Sequence, residues 1–182
     1  MNFDKEDKLE IFENAISWIV VFGMFIYGGA KAIQFKGAAE IDIAVSDLTG
    51  MQLMWAFYGY SQSFALIIGA LEITGGILIL IKRTRIIGCL FLSAILVNII
   101  MQDIFFDINR GALKAAMIYQ TLLLIILWLN RAKLIQAIKI LITPKQSTKP
   151  KQSKQKIFAK LLLAYLMFVI LRIGEYLFTI KW

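Results

Sequence analysis

Five long apolar windows constrain this chain more than any other feature of its sequence. Each is about 20 residues long with few charges, and they cover residues 15–35, 61–81, 86–106, 113–130 and 157–180. An α-helix of about 20 residues crosses the roughly 30 Å hydrocarbon layer of a membrane. Because backbone groups in lipid must be hydrogen-bonded within the protein, the windows predict an all-α integral membrane protein with five transmembrane helices.

The composition agrees with a chain whose solvent is mostly lipid. Residues of the types AVILMFWYC make up 59% of the 182 residues, and the mean hydropathy is +0.73. Charged residues amount to 18%, below the roughly 25% that is typical of soluble proteins. A water-soluble globule is therefore excluded as the fold class.

Two residue types limit the chemistry that the chain can perform. The sequence has no histidine and one cysteine, Cys89. Imidazole ligation of haem, copper or zinc and an internal redox disulfide are therefore excluded within this chain. No metal-ligand spacing appears, so we expect no metal site.

The distribution of lysine and arginine predicts the orientation. Basic residues fill the second connection at Lys82, Arg83 and Arg85, and nine lie between residues 131 and 160. Connections rich in positive charge stay in the cytoplasm, so the N-terminus is predicted inside and Trp182 outside.

The start of the chain holds five acidic residues and two lysines, so we expect no cleaved secretory signal. The basic residues that give the net charge of +8 lie beside apolar windows, which favours a lipid partner over nucleic acid.

The same pattern divides the chain into four segments. These are a cytoplasmic segment at 1–14, a four-helix membrane domain at 15–130, a cytoplasmic segment at 131–156 and a C-terminal transmembrane helix at 157–182. In the third segment, Leu134, Ile138 and Leu141 share one face of a helix that we expect along the inner leaflet. Residues 143–156 hold both prolines and five lysines, which predicts a flexible tether. An ordinary positive loop explains these lysines, and binding of anionic lipid is the functional alternative.

Polar side chains inside the apolar windows are the candidate site residues. Ionisable residues are costly in lipid, so each one is a functional hypothesis. The helical rise puts all of them in the outer half or near the midplane, which predicts a pocket open to the outside. The candidates are Lys31, Glu72, Asn98, Gln102, Asp103, Tyr119, Gln120, Arg172 and Glu175.

Purely structural roles are open for the same residues. Glu72 is either the buried partner of Lys31, which fixes helix one against helix two, or a proton-accepting or substrate-binding carboxylate tuned by that lysine. Arg172 and Glu175 are three positions apart and are expected to pair on one helix face. The amides can serve as hydrogen-bonded contacts between helices.

Two short motifs resemble the DoxX family. The first is GGAK at residues 28–31, and the second is LEITGGIL at residues 71–78, followed by the basic turn at 82–85. The resemblance covers residues 15–130 and implies a four-helix membrane bundle. Some members of that family are small subunits of quinone-linked oxidoreductases, including a thiosulfate-oxidising one, and others assist the maturation of periplasmic redox enzymes. The lysine tether and the fifth helix depart from the family pattern and leave the partner and substrate open.

Three functions are consistent with these observations. The first is an accessory or anchor subunit of a quinone-linked redox complex in the bacterial inner membrane, which holds a quinone head group near Lys31 and Glu72. A partner subunit would then supply the redox centre, and this chain would be at most a non-catalytic or quinone-binding subunit. The second is a small proton-coupled transporter in which Glu72 titrates, although no inverted repeat is visible. The third is a structural or assembly protein whose buried charges only specify helix pairing.

Overall fold

The computed structural model of the chain describes residues 2–143 and 153–179. Over these residues the secondary structure is helical and contains no β-strand. The helices are α1 (Lys5–Ala30), α2 (Gly50–Tyr60), α3 (Gln62–Leu80), α4 (Arg85–Phe105), α5 (Arg110–Leu129), α6 (Arg131–Ile142) and α7 (Lys154–Thr179). The described helices α1, α3, α4, α5 and α7 are long and apolar enough to cross a membrane. The all-helical prediction with five such helices is therefore confirmed.

Side-chain caps explain where several helices begin. The Asp4 side chain accepts a hydrogen bond from the backbone N–H of Asp7, and the Asp7 carboxylate accepts one from the backbone N–H of Asp4. This reciprocal capping starts α1 at Lys5, well before the predicted start at residue 15. Thr49 and Gln52 form the same arrangement at the start of α2. At α5, the Asn109 side chain accepts from two backbone N–H groups of the first turn.

The first connection differs most from the prediction. α1 ends at Ala30 rather than residue 35, and residues 31–39 continue as turns, with Gly37 at a φ of +75°. The connection then contains α2, an 11-residue helix. A search for windows of about 20 residues does not detect a helix of this length. The other predicted windows agree with α3, α4, α5 and α7 to within about three residues.

Four helices enclose a common core. α1 packs against α3 and α5, and α4 packs against the same two helices. Each contributes a side chain with no exposed surface, namely Val20, Ile79, Leu92 and Leu123. Lipid tails are as apolar as leucine, so close packing rather than the hydrophobic effect stabilises contacts between helices in a membrane.

The chain divides into two compact units, residues 1–140 and 141–182. The first unit contains α1 to α5 and most of α6, and it carries the core just described. The second contains α7, whose described side chains are exposed at nearly every position. Residues 144–152, the greater part of the predicted tether, and Trp182 lie outside the described residues.

Candidate functional site

Two glycines bring α1 and α3 into backbone contact, and this contact positions the first two site residues. A Cβ atom on Gly28 would lie 2.6 Å from the carbonyl oxygen of Gly69, and a Cβ atom on Gly69 would lie 2.4 Å from that of Gly28. Any side chain here would force the helices apart. Lys31 and Glu72 each follow one of these glycines by three positions. One helical turn therefore brings both side chains to the contact face.

Lys31 and Glu72 form a buried ion pair. The Lys31 Nζ donates to both carboxylate oxygens of Glu72, at 2.8 Å each. Glu72 is 1% exposed and Lys31 is 7% exposed. Lys31 lies just beyond the end of α1, where it caps the helix. Its flexible stem lets the ammonium reach a carboxylate in the middle of α3.

α2 adds a second polar contact beside the pair. The Tyr58 hydroxyl donates to Oε1 of Gln102 at 2.9 Å, and Nε2 of Gln102 donates to Oδ1 of Asn98 at 2.6 Å. Burial raises the pKa of Tyr58 above its ordinary value. The phenol therefore stays protonated and acts as the donor at neutral pH.

Asp103, on the last turn of α4, differs from the other polar groups of the site. Asp103 is 7% exposed, and its carboxyl oxygen Oδ2 has no hydrogen-bond partner among the described residues. Buried polar atoms without a partner are rare in folded proteins. This carboxyl oxygen is therefore an open acceptor inside the first unit.

These residues surround a cavity of about 200 Å³ between α1, α2, α3, α4 and α5. The charged and amide side chains that line it are Lys31, Gln34, Glu72, Gln102, Asp103 and Asn109. The remaining lining combines aliphatic side chains with aromatic and thioether ones, namely those of Tyr27, Phe35, Trp55, Tyr58, Tyr119, Met24, Met51 and Met54. An apolar cavity with a few convergent polar groups is the usual form of a small-molecule site.

The aromatic wall is ordered by ring contacts. Phe35 stacks on Tyr58 with ring centroids 4.8 Å apart, and Trp55 meets Phe35 edge-to-face at 5.4 Å. Such contacts hold flat faces in fixed positions. Methionine side chains adapt to irregular ligand shapes. The cavity therefore suits a planar ring that carries one or two polar atoms.

Five of the nine residues predicted from the sequence line the cavity. They are Lys31, Glu72, Gln102, Asp103 and Tyr119. All five belong to the first unit, four on α3, α4 and α5 and Lys31 just beyond α1, although they are up to 88 positions apart in the chain, from 31 to 119. Close packing of α1, α3, α4 and α5 brings them together.

The other four predicted residues do not line the cavity. Asn98 is exposed on α4 and touches the site only through Gln102. Gln120 donates from Nε2 to Oγ of Ser93 at 3.2 Å, which is a contact between α5 and α4. Arg172 and Glu175 pair with each other on α7 in the second unit, as their spacing predicted.

The contribution of α2 to the site is not evident from the sequence pattern of polar residues in apolar windows. Met51, Met54, Trp55 and Tyr58 line the cavity, but all four lie outside those windows. The signal that locates α2 is the pattern Thr-x-x-Gln at residues 49–52, which is typical of a helix start. In the described parts of the chain, no group of three His, Cys, Asp or Glu side chains is arranged to hold a metal ion.

A second buried cation lies at the opposite end of the first unit. Arg85 is 4% exposed and donates from Nε to the Ile79 carbonyl at 3.1 Å, from Nη1 to Glu13 at 2.9 Å and from Nη2 to Asn14 at 3.0 Å. We call Glu13, Asn14, Ile79 and Arg85 the Arg85 cluster. From the sequence, Arg85 was predicted only as one of the positive charges of the second connection. In the structure it joins α1, α3 and α4.

Comparison with known proteins adds one relative. No protein-family model matches the sequence, and no solved structure matches it. The chain is 36% identical over 116 residues to YwoB, an uncharacterized protein of Bacillus subtilis (strain 168). The matched region covers 63% of this chain and 73% of YwoB. The chain therefore belongs to the same family as YwoB.

Proposed function

We propose that this protein is a multi-pass protein of the bacterial inner membrane. In this proposal α1, α3, α4 and α5 form a four-helix membrane bundle, α7 is a fifth span, and the N-terminus lies in the cytoplasm. Support comes from the length and apolar character of these helices. Further support is the basic turn between α3 and α4, which contains Lys82 and Arg83.

The membrane surface is the first partner in this proposal. α6 carries Arg131, Lys133 and Lys139 together with exposed isoleucine and leucine side chains. A helix of this kind lies in the interface with its apolar side toward the acyl chains. With the lysine-rich residues that follow, it would attract anionic lipid on the cytoplasmic side.

For the cavity we propose a quinone head group as the ligand, and for the protein the role of an accessory or anchor subunit of a quinone-linked redox complex. The observation that carries this proposal is the cavity itself, whose lining combines aromatic and thioether side chains with Lys31, Glu72 and Asp103. A cavity of about 150 Å³ in a protein interior binds benzene. The present cavity, at about 200 Å³, therefore accommodates a single substituted ring.

The role as a subunit follows from the residues that the sequence supplies. The chain has no histidine and one cysteine, so electrons would reach the quinone from a redox centre on a partner subunit. Membership of the DoxX family, proposed from the motifs at 28–31 and 71–78, is consistent with this role. The residues that meet in the structure, Lys31 and Glu72, belong to those two motifs.

Quinone content after purification tests the proposed ligand. We would extract the full chain from native membranes in mild detergent and quantify bound isoprenoid quinones by mass spectrometry. Ala116 lines the cavity and is 5% exposed, so Ala116→Leu fills the cavity. Its neighbour Ala115 does not line the cavity, and Ala115→Leu is the matched control.

We expect about one quinone per chain in the wild type and in Ala115→Leu, and little in Ala116→Leu. A chain that purifies without quinone would contradict the proposed ligand, as would Ala116→Leu with unchanged quinone content. Proteins that copurify are identified in the same experiment. A copurified subunit with a redox cofactor supports the role in a redox complex.

A structural or assembly role is the second candidate. The observation in its favour is that Lys31 satisfies both oxygens of Glu72, so the pair links α1 to α3 without a ligand. For this role we expect a folded protein without quinone and a partner protein that lacks a redox cofactor.

A further inference from the structure

We infer that Asp103 recognises a hydrogen-bond donor on the ligand, so that the cavity binds the reduced quinol form more tightly than the quinone. The inference rests on the proposed quinone-class ligand and specifies its redox form. Two observations carry it. One is the buried Oδ2 of Asp103, which has no partner among the described residues, and the other is the pairing of the neighbouring polar groups.

Four polar side chains of the cavity wall already have partners. The ammonium of Lys31 donates to both oxygens of Glu72. The Tyr58 hydroxyl donates a hydrogen bond to Gln102, and Gln102 in turn donates to Asn98. None of these contacts includes Asp103. Among the described residues, Oδ2 of Asp103 is therefore the buried carboxylate oxygen of the cavity wall that a bound molecule can satisfy.

The donor and acceptor properties of the two redox forms differ. A quinone carries two carbonyl oxygens, which only accept hydrogen bonds, so either one would repel a carboxylate oxygen. A quinol carries two hydroxyl groups, and each donates one hydrogen bond. In this inference Asp103 is ionised, and a hydrogen bond to a charged acceptor is stronger than one to a neutral acceptor. One such bond corresponds to a preference of about tenfold in affinity.

This preference has a consequence for the electron affinity of the bound ligand. When a protein binds the reduced form of a two-electron couple tenfold more tightly, the midpoint potential of that couple rises by about 30 mV. Bound quinone would then accept electrons more readily than quinone in the free membrane pool. The Asp103 carboxylate would set this shift without exchanging electrons itself.

The test compares the affinities of both redox forms for the full chain in lipid nanodiscs. A decyl-substituted benzoquinone and its quinol, kept under nitrogen, are titrated by calorimetry, with empty nanodiscs as the blank. The variant is Asp103→Asn, which keeps the shape of the side chain and adds an N–H donor. Asp107→Asn is the matched control, because Asp107 is exposed in the turn after α4 and does not line the cavity.

We expect the wild type and Asp107→Asn to bind the quinol about tenfold more tightly than the quinone, and Asp103→Asn to bind both forms with similar affinity. A redox titration should show the matching rise of about 30 mV in the wild type. Equal affinities in the wild type would overturn the inference and leave the proposed ligand standing. Tighter binding of the quinone would also overturn it, since a protonated Asp103 would then be the donor. Binding of neither form would overturn the proposed ligand as well. If Asp103→Asn does not fold, the ratio of the quinol and quinone affinities of the wild type decides the question.

Discussion

Lys31 and Arg85 are both buried cations, at opposite ends of the same helical unit, but their surroundings differ. The guanidinium of Arg85 donates to three groups on two other helices, α1 and α3. No buried atom of the Arg85 cluster lacks a partner in the described structure. Lys31 likewise donates to both carboxylate oxygens of Glu72, but this ion pair borders a cavity whose wall includes the unpartnered Oδ2 of Asp103.

The difference separates a structural contact from a candidate binding site within one fold. Around Arg85 every buried polar side-chain atom of the cluster has a protein partner, so the cluster joins the helices and leaves no buried acceptor open, although Glu13 and Arg85 also line an open groove near the start of α6. Around Lys31 the packing leaves space and one open acceptor. A cavity supplies apolar contacts to a ligand, and an acceptor that the free protein leaves unsatisfied adds a specific hydrogen bond.

The largest expected effect is the loss of one partner of the Lys31 and Glu72 pair. Lys31→Met leaves the Glu72 carboxylate buried without its cation, which we expect to cost about 3–5 kcal/mol. The double variant Lys31→Met/Glu72→Leu removes both charges and should recover most of this loss. The free energy of unfolding is measured in mixed micelles by titration with a denaturing detergent.

Lys36→Met is the control for this prediction, because Lys36 is exposed in the turns that follow α1. It should change the free energy of unfolding by less than about 0.5 kcal/mol. Equal stability of Lys31→Met and the wild type would show that the pair contributes nothing to the contact between α1 and α3. Equal stability of the single and double variants would show that the loss does not come from an unpaired Glu72.

A smaller effect is expected at the opposite end. Arg85→Lys keeps the charge, but a single ammonium cannot reach the Ile79 carbonyl, Glu13 and Asn14 together. We expect a loss of about 2 kcal/mol in the free energy of unfolding, with the bound quinone unchanged. Arg83→Lys, at an exposed position of the same turn, should have no measurable effect. Reduced quinone content in a folded Arg85→Lys protein would contradict the distinction between the Arg85 cluster as a structural contact and the Lys31 region as a ligand site.

The smallest effect concerns Tyr58. Tyr58→Phe removes the hydrogen bond to Gln102 and should cost about 1 kcal/mol near neutral pH. Because burial raises the pKa of Tyr58, the folded protein retains the phenol proton more strongly than the unfolded chain. The resulting stability is present below about pH 10, the ordinary value, and is lost as the pH rises through the higher folded pKa.

The difference in stability between the wild type and Tyr58→Phe should therefore shrink above about pH 10. Tyr60→Phe, on the same helix and 88% exposed, is the control and should match the stability of the wild type at pH 7. Thermal unfolding of the three proteins between pH 7 and 11 measures this. A constant difference across that range would contradict a buried, protonated Tyr58.

The long helices were predictable because each one carries its own signal. A run of about 20 apolar residues identifies a possible membrane span whatever its neighbours are. α2 was not predictable in this way, since 11 residues are too few, and its capping residues lie in a connection that otherwise reads as a loop. The early start of α1 at Lys5 also depends on a local signal, the Asp4 and Asp7 caps, that an apolar window overlooks.

The site was predictable in part. The cost of charge in lipid identified Lys31, Glu72 and Asp103 as residues that need an explanation. It could not separate them from Arg172 and Glu175, which satisfy each other on one helix. Nor could it show that Tyr58 and Trp55 join the same cavity, because that depends on how α2 packs.

By itself the sequence determined the helical class of the protein, the number of long apolar helices and the side-chain types available for chemistry, because hydropathy and residue types do not depend on packing. The tertiary structure decided which polar groups are satisfied and which are left open. Gly28 and Gly69 bring Lys31 to Glu72, whereas Asp103 is buried beside a cavity without a partner among the described residues. The physical reason is that a hydrogen bond depends on distances of about 3 Å between atoms far apart in the chain, and only the packed helices fix those distances.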